Sequence, residues 1–307
     1  MTRRVPYGQL PTEQRHPHSH NLDRLSTAAL LRLMNREDAR AIRAVKTAIP
    51  SIAQAVQLIA ASLKQRGRLF FVGAGTSGRL GVLEAAECPP TFSTPPSMVQ
   101  AIIAGGRDAV FHSREGAEDQ RAEARTIVRQ RTRRGDVVVG IAASGVTPFV
   151  DDALRTAATR GARAILLTCN PRTRVPADCR MAVDVGPEVL TGSTRLKAGT
   201  ATKLVLNMLT LGVMTRLGKT YGNLMVDVRP TSKKLQARAL AIVQRLGRTS
   251  SRNAAAALAA SHGRTKIAVV MARHHLSYAA AARRLARADG SLREVLRNKA
   301  RSLATGH

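Results

Sequence analysis

Tryptophan is absent from the 307 residues, and the aromatics together make up only 3%. So few rings argue against a site that stacks bases or sugars on exposed aromatic faces. Cysteine is scarce as well. Cys88, Cys169 and Cys179 are odd in number and follow no metal-ligand spacing, which reads as free thiols of a cytoplasmic protein. No run of roughly 18 apolar residues occurs, so no membrane span is expected. The opening MTRRVPYGQLPTEQRHPHSHNL has arginines with no apolar stretch behind them, unlike a secretory signal. There is no internal repeat and no long low-complexity run. His16, His18 and His20 alternate in this polar arm, where a built metal site is not expected.

Acidic residues are few: 20 against 49 Lys and Arg, a formal net charge of +29. The excess is greatest over residues 229–307, which hold 17 Lys and Arg against Asp289 and Glu294. A balance this basic favours anionic partners. The basic residues are dispersed, however, and no nucleic-acid motif accompanies them. A solvated basic surface is the favoured reading, with nucleic acid kept as an alternative partner for the tail.

What is present is an alternation. Two helical patterns interrupted by Pro50 lead into RLFFVGAG, a buried strand ending in glycines. RLGVLEAAEC reads as a short helix stopped by Pro89-Pro90, and SMVQAIIAGG as a second strand. SREGAEDQRAEARTIVRQRTRRG reads as a long charged helix. DVVVGIAASG, ARAILLTCN and MAVDVG supply three more strands, and residues 196–218 a long apolar helix. Strand and helix alternating through 68–218 predict an α/β fold, a parallel sheet covered by helices on both sides. Beyond it, Ala- and Arg-rich stretches predict a small helical domain. The division expected is a flexible arm (1–20), a sheet domain (21–234) and a basic helical domain (235–307).

Parallel sheets of this kind bind ligands at the C-terminal ends of their strands. Those ends carry hydroxyls and glycines. Gly73-Ala74-Gly75-Thr76-Ser77-Gly78 fits a G-x-G-x-x-G pattern, but the second strand ends in glycines rather than in the acid that would hold a dinucleotide ribose. Gly75, Thr76 and Ser77 therefore suggest a loop for some other phosphate, at the positive end of a helix. Ser144, Gly145 and Thr147 repeat the idea after the third strand, although Thr147 also suits a plain helix cap. Ser193, Thr194, Arg195 and Lys197 gather hydroxyls and cations before the long apolar helix, as a phosphate or an ordinary helix start would need. Two carboxylate pairs stand beside these loops: Glu84 with Glu87, and Glu115 with Glu118, each three residues apart. Two carboxyl groups facing a sugar phosphate can serve as general acid and general base.

The runs GAGTSGRLGVLEAAECPPTF, REGAEDQ, VVVGIAASGVTPFV, GPEVLTGSTRLKAGTATKLVLNML and GKTYGNLMVDVRPTSKKL together resemble the N-acetylmuramic acid 6-phosphate etherases, over about Asn21 to Leu235. The GPEVLTGSTRLKAGTATK run is shared chiefly with the glucokinase regulatory proteins, which are longer. The resemblance implies a sugar isomerase (SIS) domain, a flavodoxin-like three-layer α/β sheet, followed by an all-helical domain similar to a ubiquitin-associated fold. It implies a lyase of cell-wall amino-sugar recycling that needs no cofactor or metal and works as a homodimer. In that chemistry a base removes the C2 proton of the open-chain sugar, the C3 lactate leaves with an acid's help, and water adds back at C3. The motif AAECPPT assigns the acid to Glu87, and EGAED assigns the second catalytic carboxylate to Glu118. An acid at neutral pH needs a raised pKa, and Glu84, one turn from Glu87, is the candidate to supply a like charge. A non-catalytic sugar-phosphate regulator is the alternative.

Overall fold

The computed structural model describes residues 7–297. They divide into two compact units: residues up to Ala86 with Pro96–Gly212, and Glu87–Pro95 with the chain from Val213 on. The segment around Pro89-Pro90 goes with the C-terminal unit.

In the first unit, α1 (Thr27–Thr47) and α2 (Ile49–Lys64) precede the sheet. Ser26 caps α1, its hydroxyl accepting the Ala29 N–H at 3.3 Å. Pro50 occupies the first turn of α2, where a missing N–H leaves no bond unmade, and the two helices meet at 60°. Among the described residues no single helix is long and apolar enough to cross a membrane. Then follow β1 (Leu69–Gly73), α3 (Gly75–Phe92), β2 (Val99–Ile103), α4 (Arg121–Arg131), β3 (Val137–Ile141), α5 (Pro148–Thr159), β4 (Arg163–Thr168), β5 (Cys179–Ala182) and α6 (Lys197–Arg216).

All five strands run parallel in the order β2-β1-β3-β4-β5. This is the flavodoxin-like order, whose switch point lies between β1 and β3. Every residue of β1 and β3 is buried, as expected of central strands covered on both faces. Phe70, Val72, Val138 and Leu166 of the sheet pack with Phe149 and Leu154 of α5. At the opposite ends of the same strands, buried Asp136 accepts the backbone N–H groups of Arg68 (2.9 Å) and Arg133 (3.0 Å) and pairs with the Arg68 guanidinium at 2.6 Å. Asp136→Ala leaves these donors unpaired, and a loss of ~3 kcal/mol is expected, read as a lowered urea midpoint.

Three local expectations fail for identifiable reasons. Pro89 and Pro90 do not stop α3, which runs to Phe92. They stand in its final turn, where only the last hydrogen bonds are lost, and the Ser93 N–H closes that turn on the Pro89 carbonyl at 2.9 Å. The long charged helix is halved: α4 begins only at Arg121, because Gly116 adopts φ 74 and a 3-10 turn, Ala117–Asp119, intervenes. The arm, expected to be flexible, packs down over the described part. Leu10, Thr12 and His16 are buried, and the Thr12 carbonyl accepts the Gly192 N–H at 3.2 Å.

The second unit holds Glu87–Pro95 together with α7 (Lys233–Gly247), α8 (Ser251–Ala260), α9 (Thr265–His274), α10 (Tyr278–Arg287) and α11 (Leu292–Arg297). Ser232, Ser250 and Ser277 cap α7, α8 and α10. Val226, Val228, Ile242, Val243, Val269 and Leu285 form its core. Lys266 is buried there: its ammonium donates to the Gly218 and Gly290 carbonyls and lies 3.2 Å from Asp227. Burial pushes its pKa down against the opposing pull of Asp227. Residues 298–307, the last part of the basic tail, lie outside the described residues.

Candidate active site

The glycine loop joins β1 to α3, and the helix starts at Gly75, inside the loop. Gly75 has φ 50, which an L side chain rarely adopts. A Cβ on Gly78 would meet the Gly73 carbonyl oxygen at 2.7 Å, so the first turn of α3 lies against the strand end. The unpaired N–H groups and the positive end of an 18-residue helix are thereby held at the switch point of the sheet. Thr76 and Ser77 stand in that first turn. Across the switch point, Ser144 follows β3, and its hydroxyl accepts the Val146 N–H at a long 3.4 Å. Thr147 precedes α5, but its side chain makes no capping bond, leaving the hydroxyl for another partner. Thr194 comes from the turn before α6.

These residues meet. Gly75, Thr76, Ser77, Ser144, Thr147 and Thr194 line one open cavity of about 280 Å³, and Glu118 lines it too. The 3-10 turn that interrupted the charged helix is what brings Glu118 there. Glu115 joins it, accepting the Ser113 hydroxyl at 2.9 Å. The volume is near the low end of small-molecule sites, ~300–1,000 Å³.

Other expected site residues are used differently. Gly145 is packed into the turn: a Cβ there would meet the Thr168 hydroxyl at 2.8 Å, and its carbonyl accepts the Thr173 hydroxyl. Ser193 and Arg195 do not line the cavity. Lys197, expected to grip phosphate, is buried instead, with its ammonium 2.5 Å from Glu37. Glu37 also lies 3.1 Å from His16 Nε2 and 3.4 Å from Arg40. Burial alone would raise its pKa, but the hydrogen bonds of Lys197 and His16 and the charges of Lys197 and Arg40 outweigh it and lower the value to about 2. The helix start after Thr194 is held by Glu188, whose carboxylate accepts the N–H groups of Lys197 (3.2 Å) and Ala198 (2.9 Å).

Glu87 is exposed on α3 and belongs to the second unit. Glu84 is buried and turned to other partners: Lys203 at 3.3 Å and the Thr210 hydroxyl at 2.5 Å. The like charge expected to act on Glu87 is therefore met by a cation on α6. Sequence reasoning missed Glu13, Arg79 and Arg114 as cavity residues. Arg79 had a usable signal, since it directly follows Gly78 in the first turns of α3. It donates to the Val110 carbonyl at 2.9 Å and holds the 107–110 turn.

Residues 51–158 match the family of the glucokinase regulatory protein N-terminal SIS domain, and residues 118–212 match the SIS domain family. The chain is 49% identical over 292 residues to the N-acetylmuramic acid 6-phosphate etherase of Gloeothece citriformis, covering 94% of this chain and 95% of that one. It is 52% identical over 275 residues to the etherase of Gloeobacter violaceus, covering 88% and 90%. The chain belongs to the N-acetylmuramic acid 6-phosphate etherase family. A phosphoheptose isomerase structure from Francisella tularensis aligns at 18% identity and a TM-score of 0.47, over 60% of this chain and 98% of that one. Of the two glutamates that the resemblance singled out, Glu118 lines the cavity, and Glu87 belongs to the second unit.

Proposed function

We propose that the chain cleaves the D-lactyl ether of N-acetylmuramic acid 6-phosphate with water, giving N-acetylglucosamine 6-phosphate and D-lactate, in cytoplasmic recycling of cell-wall amino sugars. The observation that carries this reading is the cavity itself. In a chain about half identical to etherases, it combines hydroxyls from three loops with a helix N-terminus and a carboxylate. The hydroxyls and free N–H groups suit the phosphate. That Glu118 lines the cavity supports a role for it in moving a proton of the sugar. The base takes the C2 proton, and the ether oxygen leaves C3 as lactate with the acid's proton. Water then adds its hydroxyl to C3 and its hydrogen to C2. We assign Glu87 as the acid. The three cysteines are buried and no disulfide joins them, which supports a reducing compartment.

We infer a homodimer, which the exposure of Glu87 within one chain favours. Leu83, one turn before Glu87 on the same face of α3, is 42% exposed. On α6, Leu211 is 55% exposed beside exposed Met208. A second subunit covering these apolar faces would also enclose Glu87, supplying the desolvation an acid needs. A regulator without catalysis has less in its favour, since it needs a phosphate grip but no carboxyl pair.

Release of D-lactate from N-acetylmuramic acid 6-phosphate by the purified chain tests the reading. A folded protein that binds the sugar phosphate but releases no lactate would make it a regulator. Ser77→Ala is expected to raise KM by roughly 10–100-fold, the worth of one hydrogen bond to a charged group, with a smaller change in kcat. Initial rates across substrate concentration check this.

A further inference from the structure

The cavity contains a carboxylate that neither the motifs nor the mechanism uses. Glu13 comes from the N-terminal arm, which is pinned on either side of it. Leu10 and Thr12 are buried before it and His16 after it, and His16 is held at Glu37. Between these anchors Glu13 is exposed and lines the cavity. Its position is fixed from the far side by Gly192. The Gly192 N–H bonds to the Thr12 carbonyl at 3.2 Å, and a Cβ on Gly192 would lie 3.1 Å from Glu13 Oε2. Thr194, two residues on, lines the same cavity.

Two further facts separate Glu13 from an ordinary surface acid. The chain has 49 basic residues for 20 acidic ones, yet among the described residues no cation pairs with Glu13. Its side chain receives only a long bond, 3.3 Å, from the adjacent Thr12 hydroxyl. A carboxylate with open acceptor sites, held in a cavity by a buried anchor, is set to receive donors from a ligand. It cannot be there for the phosphate, which it repels.

We propose that Glu13 is a substrate-recognition residue, its carboxylate accepting a hydrogen bond from a hydroxyl or amide N–H of the bound amino-sugar phosphate. This rests on reading the cavity as the sugar-phosphate site. The charge on Glu13 then acts in opposite directions on two ligands. It strengthens binding of the neutral, donor-bearing sugar part and weakens binding of a bare phosphate. A residue that merely holds the arm would act on both ligands in the same direction.

The experiment is calorimetric binding of N-acetylglucosamine 6-phosphate and of inorganic phosphate to the full-length wild type, Glu13→Ala and Glu13→Gln. Glu13→Ala is expected to weaken the sugar phosphate about 10-fold or more while phosphate binds as well or better. Glu13→Gln, which keeps an acceptor oxygen, recovers part of the sugar affinity. Equal weakening of both ligands, as His16→Ala should produce by loosening the arm, would assign Glu13 to structure and overturn the proposal. So would no change for either ligand. If the wild type itself prefers inorganic phosphate to the sugar phosphate, the cavity reading fails and the proposal falls with it.

Discussion

Glu118→Gln is expected to lower kcat for D-lactate release by about 10²–10⁴-fold while N-acetylglucosamine 6-phosphate still binds. The substitution keeps shape and hydrogen-bonding reach but removes the ability to take or give a proton. Glu118 lines the cavity that carries the Thr76, Ser77 and Ser144 hydroxyls, so a sugar phosphate bound there, as proposed, would lie beside it. The carboxylate sits on a 3-10 turn between Gly116 and α4, and among the described residues no cation pairs with it. The variant should therefore unfold at the same urea concentration as the wild type. A rate within threefold of wild type would remove Glu118 from the chemistry. Loss of rate and stability together would make it a structural residue.

Lys197→Met should destabilise the sheet unit by ~3–5 kcal/mol, the cost of leaving one member of a buried ion pair uncompensated. Lys197 is 1% exposed, and its ammonium is 2.5 Å from Glu37. Removing it strands a carboxylate whose remaining partners are His16 and the more exposed Arg40. The double variant Glu37→Gln/Lys197→Met should recover part of the loss, because no bare charge remains. The pH dependence has a definite sign. Glu37 ionises at about 2 in the folded chain against an ordinary value of 4.5. Its contribution, about 3 kcal/mol, is fully present above the ordinary value and is lost as the pH falls through 2. Urea midpoints between pH 6 and pH 2 should fall less steeply in Lys197→Met than in wild type. Parallel curves would remove the pair from the account.

The sheet was legible because hydrophobic runs ending in glycine alternate with helical periods, and parallel strands buried on both faces leave that pattern plainly. The hydroxyls that line the cavity were legible for the same reason: strand ends in such a sheet are where ligands bind. What escaped was decided by tertiary partners. Nothing in RLKAG shows that Lys197 turns inward, since Glu37 lies 160 residues away in the chain. Glu84 and Glu87 look like one pair at helical spacing, but Lys203 and Thr210 on α6 draw Glu84 into the interior. The arm reads as polar and Pro-rich, and only the burial of Leu10, Thr12 and His16 fixes it. Pro89-Pro90 misled because a proline breaks a helix interior but not its last turn.

Two carboxyl groups acting by elimination and hydration are the core of this account, and isotope position tests them most directly. The full-length chain would turn over N-acetylmuramic acid 6-phosphate in water enriched in both heavy oxygen and deuterium, and both products would be read by mass spectrometry. The account predicts one solvent oxygen at C3 of N-acetylglucosamine 6-phosphate, solvent hydrogen at C2 and unlabelled D-lactate, with both products lost in Glu87→Gln and Glu118→Gln. Heavy oxygen in the lactate, with C2 hydrogen retained, would mean the other side of the ether is cut and would contradict it.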